Sequence, residues 1–327
     1  MVHCVVGGLP DVRRVVLGRP FLMATTTEKR IAQRRKARGI LVPILEDVLE
    51  RMVEIEDEDD IAFMNDLMRA RMRKRKKGVF SPSMLGSCMR QAYFVKIRQK
   101  KQPALSPQTN GYFLDGDFRH YKWQFALWKA QRKGLLELVG VEVRVFSKTG
   151  DFVGTIDAIV RINGKLYIID FKGMNVRSFQ QFVSDGLEEK HGIQITGYGM
   201  IYGKDIEGCL LVGESKAGPL QNGSPIALYE QFVPIPQFKA QVKKRLAKLR
   251  RFVDNEEIPP PACVSTRHKE FQECPFAWFC REEVLVVQRE RERSARSNPK
   301  GTKVAVPGRA RDDRARGSRG RRKGRAT

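Results

Sequence analysis

Two carboxylates and a lysine stand at a spacing that one short hairpin turns into a site. In the segment GTIDAIVRINGKLYIIDFK (residues 154–172), Asn163-Gly164 separates two runs rich in β-branched and aromatic residues. This is the signature of a two-residue hairpin closed by a type I′ turn. If Ile162 faces Lys165, paired residue numbers sum to 327 and Asp157 falls opposite Asp170. Counted from the closing pair, the two form a non-hydrogen-bonded pair, with Cβ atoms roughly 4.5 to 5.5 Å apart on one face. Like charges so placed repel, and a divalent cation between them reverses the sign. Lys172 lies two residues beyond Asp170 and projects from the same face. An ammonium there can orient or acidify a metal-bound water and stabilise charge on a phosphate under attack. Taken alone, the I-D-F-K string also fits an ordinary strand ending at a solvent edge.

Further residues carry a resemblance. Gly116 and His120 form a Gly-x-x-x-His step on a helix upstream of the hairpin, and Gln194 and Tyr198 form a Gln-x-x-x-Tyr step downstream. The four-residue step places an amide and a phenol on one helical face. Residues 81–94, SPSMLGSCMRQAYF, hold a Ser-x-x-x-x-Cys-x-Arg-x-x-Tyr string around Cys88, and Cys263, Cys274 and Cys280 follow in PPPACVSTRHKEFQECPFAWFC. Taken in this order, these motifs resemble the PD-(D/E)XK nuclease superfamily, and within it the RecB-like iron-sulfur branch of CRISPR-associated exonucleases and the AddB nuclease domain. The motifs span about residues 80–283.

The resemblance implies an α/β fold, a restriction-endonuclease-like mixed β-sheet flanked by helices, with a C-terminus closed by an Fe-S cluster. It implies Mg²⁺ or Mn²⁺ held by His120, Asp157, Asp170 and the Phe171 carbonyl. Lys172 positions and helps deprotonate the attacking water, while Gln194 and Tyr198 order the lysine or the substrate backbone. Cys88, Cys263, Cys274 and Cys280 are implied ligands of a [4Fe-4S] cluster, with Zn²⁺ as the alternative because thiolates suit both. Cys263 departs from the branch pattern: Phe271 occupies the usual earlier position and Cys263 lies eleven places ahead of Cys274. Arg90 is expected to meet a phosphate or a surface carboxylate. Cys209 reads as a buried strand residue and Cys4 as incidental.

The elements that must position these groups follow from patterning. Ile44, Leu45, Val48, Leu49, Met52 and Val53 recur at helical spacing, then come the acidic run EIEDEDD and a helix ending in RARMRKRKK. Both charged runs read as solvated faces, the basic one with phosphate contact as its alternative. Helices are expected over 82–99, 113–133, around Gln194 and over 236–253, and strands over 141–146, 152–162, 165–171, 209–215 and 227–233. The domains expected are a disordered or non-native leader at 1–27, a helical segment at 28–79, the nuclease domain at 80–287 and a disordered Arg-rich tail at 288–327. Met23 reads as an alternative start. The tail carries 15 Lys/Arg against 4 Asp/Glu and too few large apolar side chains to order itself.

The 327 residues carry 61 Lys+Arg against 37 Asp+Glu, a net charge of +24, with 41% hydrophobic residues. A core can form, and the charge favours a polyanion such as nucleic acid. No run reaches the roughly eighteen apolar residues a spanning helix needs, so a cytoplasmic chain is expected, in a prokaryote or a phage-infected cell. Reduced thiols follow from that compartment. The function implied is a metal-dependent exonuclease acting on single-stranded DNA or DNA ends in recombination, repair or replication. Without a phosphate-binding Gly-rich helicase loop, it is expected to receive strands from a helicase or recombination partner. The competing readings are a catalytically silent nucleic-acid-binding or recruitment module on the same fold, and an RNA-directed or structural zinc protein.

Overall fold

The computed structural model describes residues 39–49, 54–72, 79–97, 107–150, 152–203, 205–217, 228–267 and 269–297. The expected leader, Met23, Met52, Val53 and the chain beyond residue 297 lie outside the described residues. Helices α1 (Val42–Leu49) and α2 (Glu58–Met72) precede α3 (Pro82–Leu85), α4 (Met89–Lys96) and the 26-residue α5 (Pro107–Arg132). Strands β1 (Glu137–Phe146), β2 (Val153–Ile162) and β3 (Lys165–Met174) follow, then α6 (Val176–Asp185), α7 (Glu189–Tyr202), β4 (Ile206–Ser215) and β5 (Leu228–Val233). The described chain closes with α8 (Ile235–Asp254), α9 (Lys269–Gln272) and α10 (Ala277–Ser297).

The five strands lie in the order β1-β2-β3-β4-β5. Only β3 and β4 are parallel, joined by the α6–α7 crossover, and the other neighbours are antiparallel. Alternation along the strands sends side chains to opposite faces. Ile168 and Leu211 enter one core with Phe80, Tyr93, Ile195 and Phe276, whereas Ile169, Leu210 and Val212 enter another with Ile44, Leu45, Trp123 and Leu127. The sheet is therefore the middle layer, α5 with α1 and α2 covering one face, and α3, α4, α7, α8 and α10 the other. This is the α/β mixed sheet flanked by helices that the resemblance implied.

Three expectations change. The helix expected over 82–99 breaks at Gly86–Cys88, where a side chain on Gly86 would strike the Lys190 carbonyl, and Cys88 becomes the N-cap of α4. Of the acidic run at 54–60, residues 54–59 are exposed as expected and the last, Asp60, is not. Asp60 is fully buried, its carboxylate 2.8 Å from Lys129 Nζ, 2.9 Å from Arg132 Nη1 and 2.9 Å from the Trp128 indole nitrogen, and this lattice docks α2 on α5. Finally, α10 runs on through Ser297, ten residues into the segment expected to be disordered. Val284 anchors it in the core, and Gln288 Nε2 bonds Glu292 one turn on at 3.1 Å.

The N-terminal segment is tied to the far edge of the sheet. Buried Glu230 on β5 accepts from the backbone N–H groups of Ile40, Leu41 (2.7 Å) and Val42 (2.6 Å), satisfying donors that the start of α1 leaves open. Gly39, at φ +115°, enters this turn where a side chain would collide with the Glu230 carboxylate.

Candidate active site

The hairpin turn forms as its two residues dictate, with Asn163 at φ 52° and Gly164 at φ 76°, both in the left-handed region that a type I′ turn requires. Ile162 pairs with Lys165, and the register holds to Ala158 and Ile169. There the β2–β3 ladder ends. Beyond it β2 stays with β1 as far as Val153 opposite Phe146, and β3 stays with β4 as far as Met174 opposite Ser215. The sheet forks, and Asp157 and Asp170 are the first residues past the last pair. In place of a ladder bond, Asp157 Oδ2 accepts from the Phe171 backbone N–H at 2.9 Å.

Each carboxylate at the fork has a different company. Asp170, 2% exposed, lies 2.7 Å from Lys172 Nζ through Oδ2 and accepts from the Gln194 amide at 3.1 Å through Oδ1. Asp157 Oδ2 lies 3.3 Å from His120 Nδ1, a buried ring nitrogen without a hydrogen bond. The long helix α5 delivers His120 from the opposite face of the sheet, and stacking of Trp123 on Phe171 (6.3 Å, 20°) fixes its seat. Phe171 also meets His120 edge-on at 6.5 Å.

Of the residues singled out from sequence, His120, Asp157, Asp170, Phe171, Lys172 and Gln194 converge at the fork. Gln194 reaches Asp170, not the lysine. Tyr198 is buried, 8% exposed, with its ring against β2 where a side chain on Gly154 would come within 2.5 Å of it; its body is core. Arg90 meets no surface phosphate site: it is buried, forked onto Glu283 at 2.8 and 2.7 Å, hydrogen-bonded to the Pro259 carbonyl, and has Nη1 3.8 Å from Cys280 Sγ. Cys209 is buried on β4 as expected.

Four residues at the fork escaped the sequence. Glu142 on β1 joins His120 and Asp157 in a group whose ligand atoms all lie within 4.8 Å of one another. In VEVRVF it reads as an ordinary strand position, yet its φ is 48°, a strained conformation for a non-glycine residue that bends it into the site. Arg71, from the basic run on α2, donates to Glu142 Oε1 at 2.7 Å and pairs with Asp117. Gln124 donates to the same oxygen and to the Asp157 carbonyl, both at 2.8 Å. His191 stands on α7 beside Lys172 and Asp170, with Nδ1 buried and unbonded. Its place three residues before Gln194, on the same helical face, was the available signal.

The charges follow from this packing. Burial, helped by Arg71, lowers the His120 pKa to about 4, so the ring is neutral at pH 7 and its lone pair free to ligate. Burial and Lys172 likewise bring His191 to about 4. Burial and the Asp157 charge raise Glu142 against the pull of Arg71. Burial works to deprotonate Lys172, but Asp170 and Asp157 outweigh it and keep it an ammonium. A neutral imidazole and two carboxylates in reach of one another are a hard N/O donor set that fits Mg²⁺ or Mn²⁺.

Cys88, from the first third of the chain, and Cys263, Cys274 and Cys280, from its last quarter, lie near enough for each of the other three to raise Cys263, whose pKa burial lifts to about 11. The Phe276 N–H donates to Cys274 Sγ at 3.4 Å. These are donors of the soft class that takes zinc or iron-sulfur groups. Among the described residues, no helix is long and apolar enough to cross a membrane.

Solved structures similar to this chain include an alkaline exonuclease from Laribacter hongkongensis, with 13% identity and a TM-score of 0.37 over 59% of this chain and 95% of that one. The same exonuclease in complex with dAMP gives 14% and 0.38 over 59% and 95%. The protein SSO0001 gives 19% and 0.40 over 67% and 95%. No curated protein matches the chain in sequence. The sequence model of the PD-(D/E)XK nuclease superfamily matches residues 89–262, just over half of the chain and both aspartates and the lysine of the fork, and the chain belongs to that superfamily of nucleases.

Proposed function

We propose that the protein is a divalent-metal-dependent exonuclease that hydrolyses phosphodiester bonds of single-stranded DNA or DNA ends. The observation that carries this reading is the fork, where Asp157 lies beside His120 and Asp170 beside Lys172 just past the last β2–β3 pair. His120, Asp157 and Glu142 would hold the metal, with Asp170 and the Phe171 carbonyl as further donors. When bound, Mg²⁺ or Mn²⁺ supplies Lewis-acid polarisation of the phosphate and a more acidic water. Lys172 donates to the attacking water and steadies charge gathering on the phosphate oxygens. Asp170 holds that ammonium in place, and Gln194 holds Asp170. Arg71 and Gln124 hold the Glu142 carboxylate in the orientation in which it would join the metal ligands.

Cys88, Cys263, Cys274 and Cys280 would hold a [4Fe-4S] cluster, with Zn²⁺ as the alternative, that staples α4 to the chain's C-terminal helices. Arg90 supports this by joining α4 to Glu283 and the Cys280 sulfur. Residues 80–287 then form the nuclease domain and residues 28–79 a helical buttress. The enzyme works in a prokaryotic or phage-infected cytoplasm, in recombination, repair or replication, on strands supplied by a helicase or recombination partner.

An anaerobic assay with Mg²⁺ and with Mn²⁺, on single-stranded DNA labelled separately at each end, tests this reading. The expected result is metal-dependent shortening from one end by wild type and none by Lys172→Ala, from a brown protein with broad absorbance near ~400 nm. Equal cleavage by the variant overturns the site. A colourless protein carrying stoichiometric zinc overturns the cluster and leaves the site intact.

A further inference from the structure

Resting on that reading, we infer that the amino-terminal half of α5 is a base-stacking shelf that receives single-stranded DNA and leads it to the fork. Tyr112, Phe113, Leu114 and Phe118 are each 58–60% exposed. Large rings held in water on a well-formed helix mark a surface meant to be covered.

The placement of these rings selects the occupant. Phe113 and His120 are seven residues apart, so they lie on one helical stripe about 10 Å apart along the axis. Gly116 lies between them, and a side chain built there would meet nothing within 4 Å. An open step therefore runs from an exposed ring to the histidine of the site. The flank of the step carries two cations, Lys216 and Arg119, of which Arg119 also meets Glu214 at 3.0 Å. Lys216 Nζ lies 5.6 Å over the Tyr112 ring, and Arg119 and Lys216 both cross Gly173, the neighbour of Lys172, where a side chain would come 2.9 Å from Arg119 Cδ and 3.2 Å from Lys216 Cε. The acidic groups of the helix do not confront a phosphate bare. Asp115 is paired with Arg119 (3.1 Å) and Lys216 (2.8 Å), and Asp117 with Arg71.

A single strand matches this surface because its bases have free faces to lay on exposed rings, whereas a duplex keeps those faces in its own stack. A second copy of the chain matches poorly, since the net charge of +24 opposes self-association.

The test uses the full chain carrying Lys172→Ala, so that substrate is bound and not consumed, and reads the affinity for a labelled oligothymidylate and for a duplex of equal length. Adding Phe113→Ala is expected to weaken single-strand binding about tenfold, leave duplex binding unchanged, and be rescued by Phe113→Tyr, which keeps a stacking face. In the otherwise wild-type chain, Phe113→Ala raises KM for the oligothymidylate while turnover of p-nitrophenyl thymidine phosphate, too short to reach the shelf, stays the same. Unchanged single-strand affinity, or a Tyr variant as weak as the Ala variant, overturns the shelf. A Phe113→Ala chain that sediments as a monomer when its parent is a dimer reassigns the face to self-association and overturns it equally. A wild-type chain that cleaves no DNA, yet loses single-strand binding in the Phe113→Ala background, sinks the nuclease reading and leaves the shelf standing.

Discussion

Two acidic clusters pack against the same helix, α5, and they are built to opposite rules. At the carboxy-terminal end of α5, Lys129, Arg132 and Trp128 surround Asp60, every oxygen of which is matched by a donor. Burial pushes the Asp60 pKa up, but Lys129 and its other donors outweigh it and hold the carboxyl well below the usual range. At the fork, Glu142, Asp157 and Asp170 share Arg71 and Lys172, and the third nitrogen base, His120, is neutral. Burial holds both Glu142 and Asp170 above the usual carboxylate range. Neutralised charge holds a fold together, whereas surplus negative charge beside a free ring nitrogen is spent on binding a cation.

The comparison breaks most visibly in activity. Asp157→Asn at the fork is expected to cut DNA cleavage about a thousandfold with the fold retained, a loss of the size seen when one charge-stabilising group leaves an active site. Cleavage rates with circular dichroism as the folding control check it, and a folded variant with normal rates would remove the distinction between the clusters. Asp60→Asn does the reverse. It takes the buried counter-charge from Lys129, which keeps only the exposed Glu56, while Arg132 keeps Asp57, and is expected to cost about 3 kcal/mol of stability in urea titration, with the site unchanged in the surviving folded fraction.

A smaller effect sharpens the contrast. Glu142→Gln relieves repulsion with Asp157 while loosening Arg71, and these offset to within about 1 kcal/mol of fold stability. Mn²⁺ affinity by calorimetry is expected to drop about tenfold; an unaltered affinity would take Glu142 out of the ligand group. The smallest effect is in pH. With chelator present, the two regions should titrate apart. His120 and His191 have folded pKa values near 4, below the unfolded value of about 6.5. Between these the unfolded chain binds more protons, so stability present above pH 6.5 is lost as pH falls toward 4. His191→Gln should flatten that loss in thermal melts, while the Asp60 lattice gives way only at lower pH.

Much of the site could be read along the chain because it is local. Asn163-Gly164 sets the turn, the turn sets the register to Ala158 and Ile169, and an alternating strand then places Lys172 beside Asp170. His120 and Gln194 were legible as helical steps. Glu142 was not, because a glutamate in a strand shows nothing until its φ turns positive. Arg71 looked like one cation among many, and in the acidic run, exposed as expected over 54–59, nothing marked the last residue, Asp60, as buried.

By itself, then, the sequence determined the hairpin, its register and the chemical types at its open end, since turn geometry and side-chain alternation act over a few residues. Only the tertiary structure decided where the ladder ends. The β2–β3 pairing yields at Ala158 because β2 follows β1 and β3 follows β4 beyond it, and that competition involves strands and helices far apart in the chain. The same packing of α5 across the sheet brings His120 to Asp157 and Lys129 to Asp60. No spacing rule reaches that far, because the free energy that selects it comes from burying Trp123, Phe171 and Leu127 together in one core.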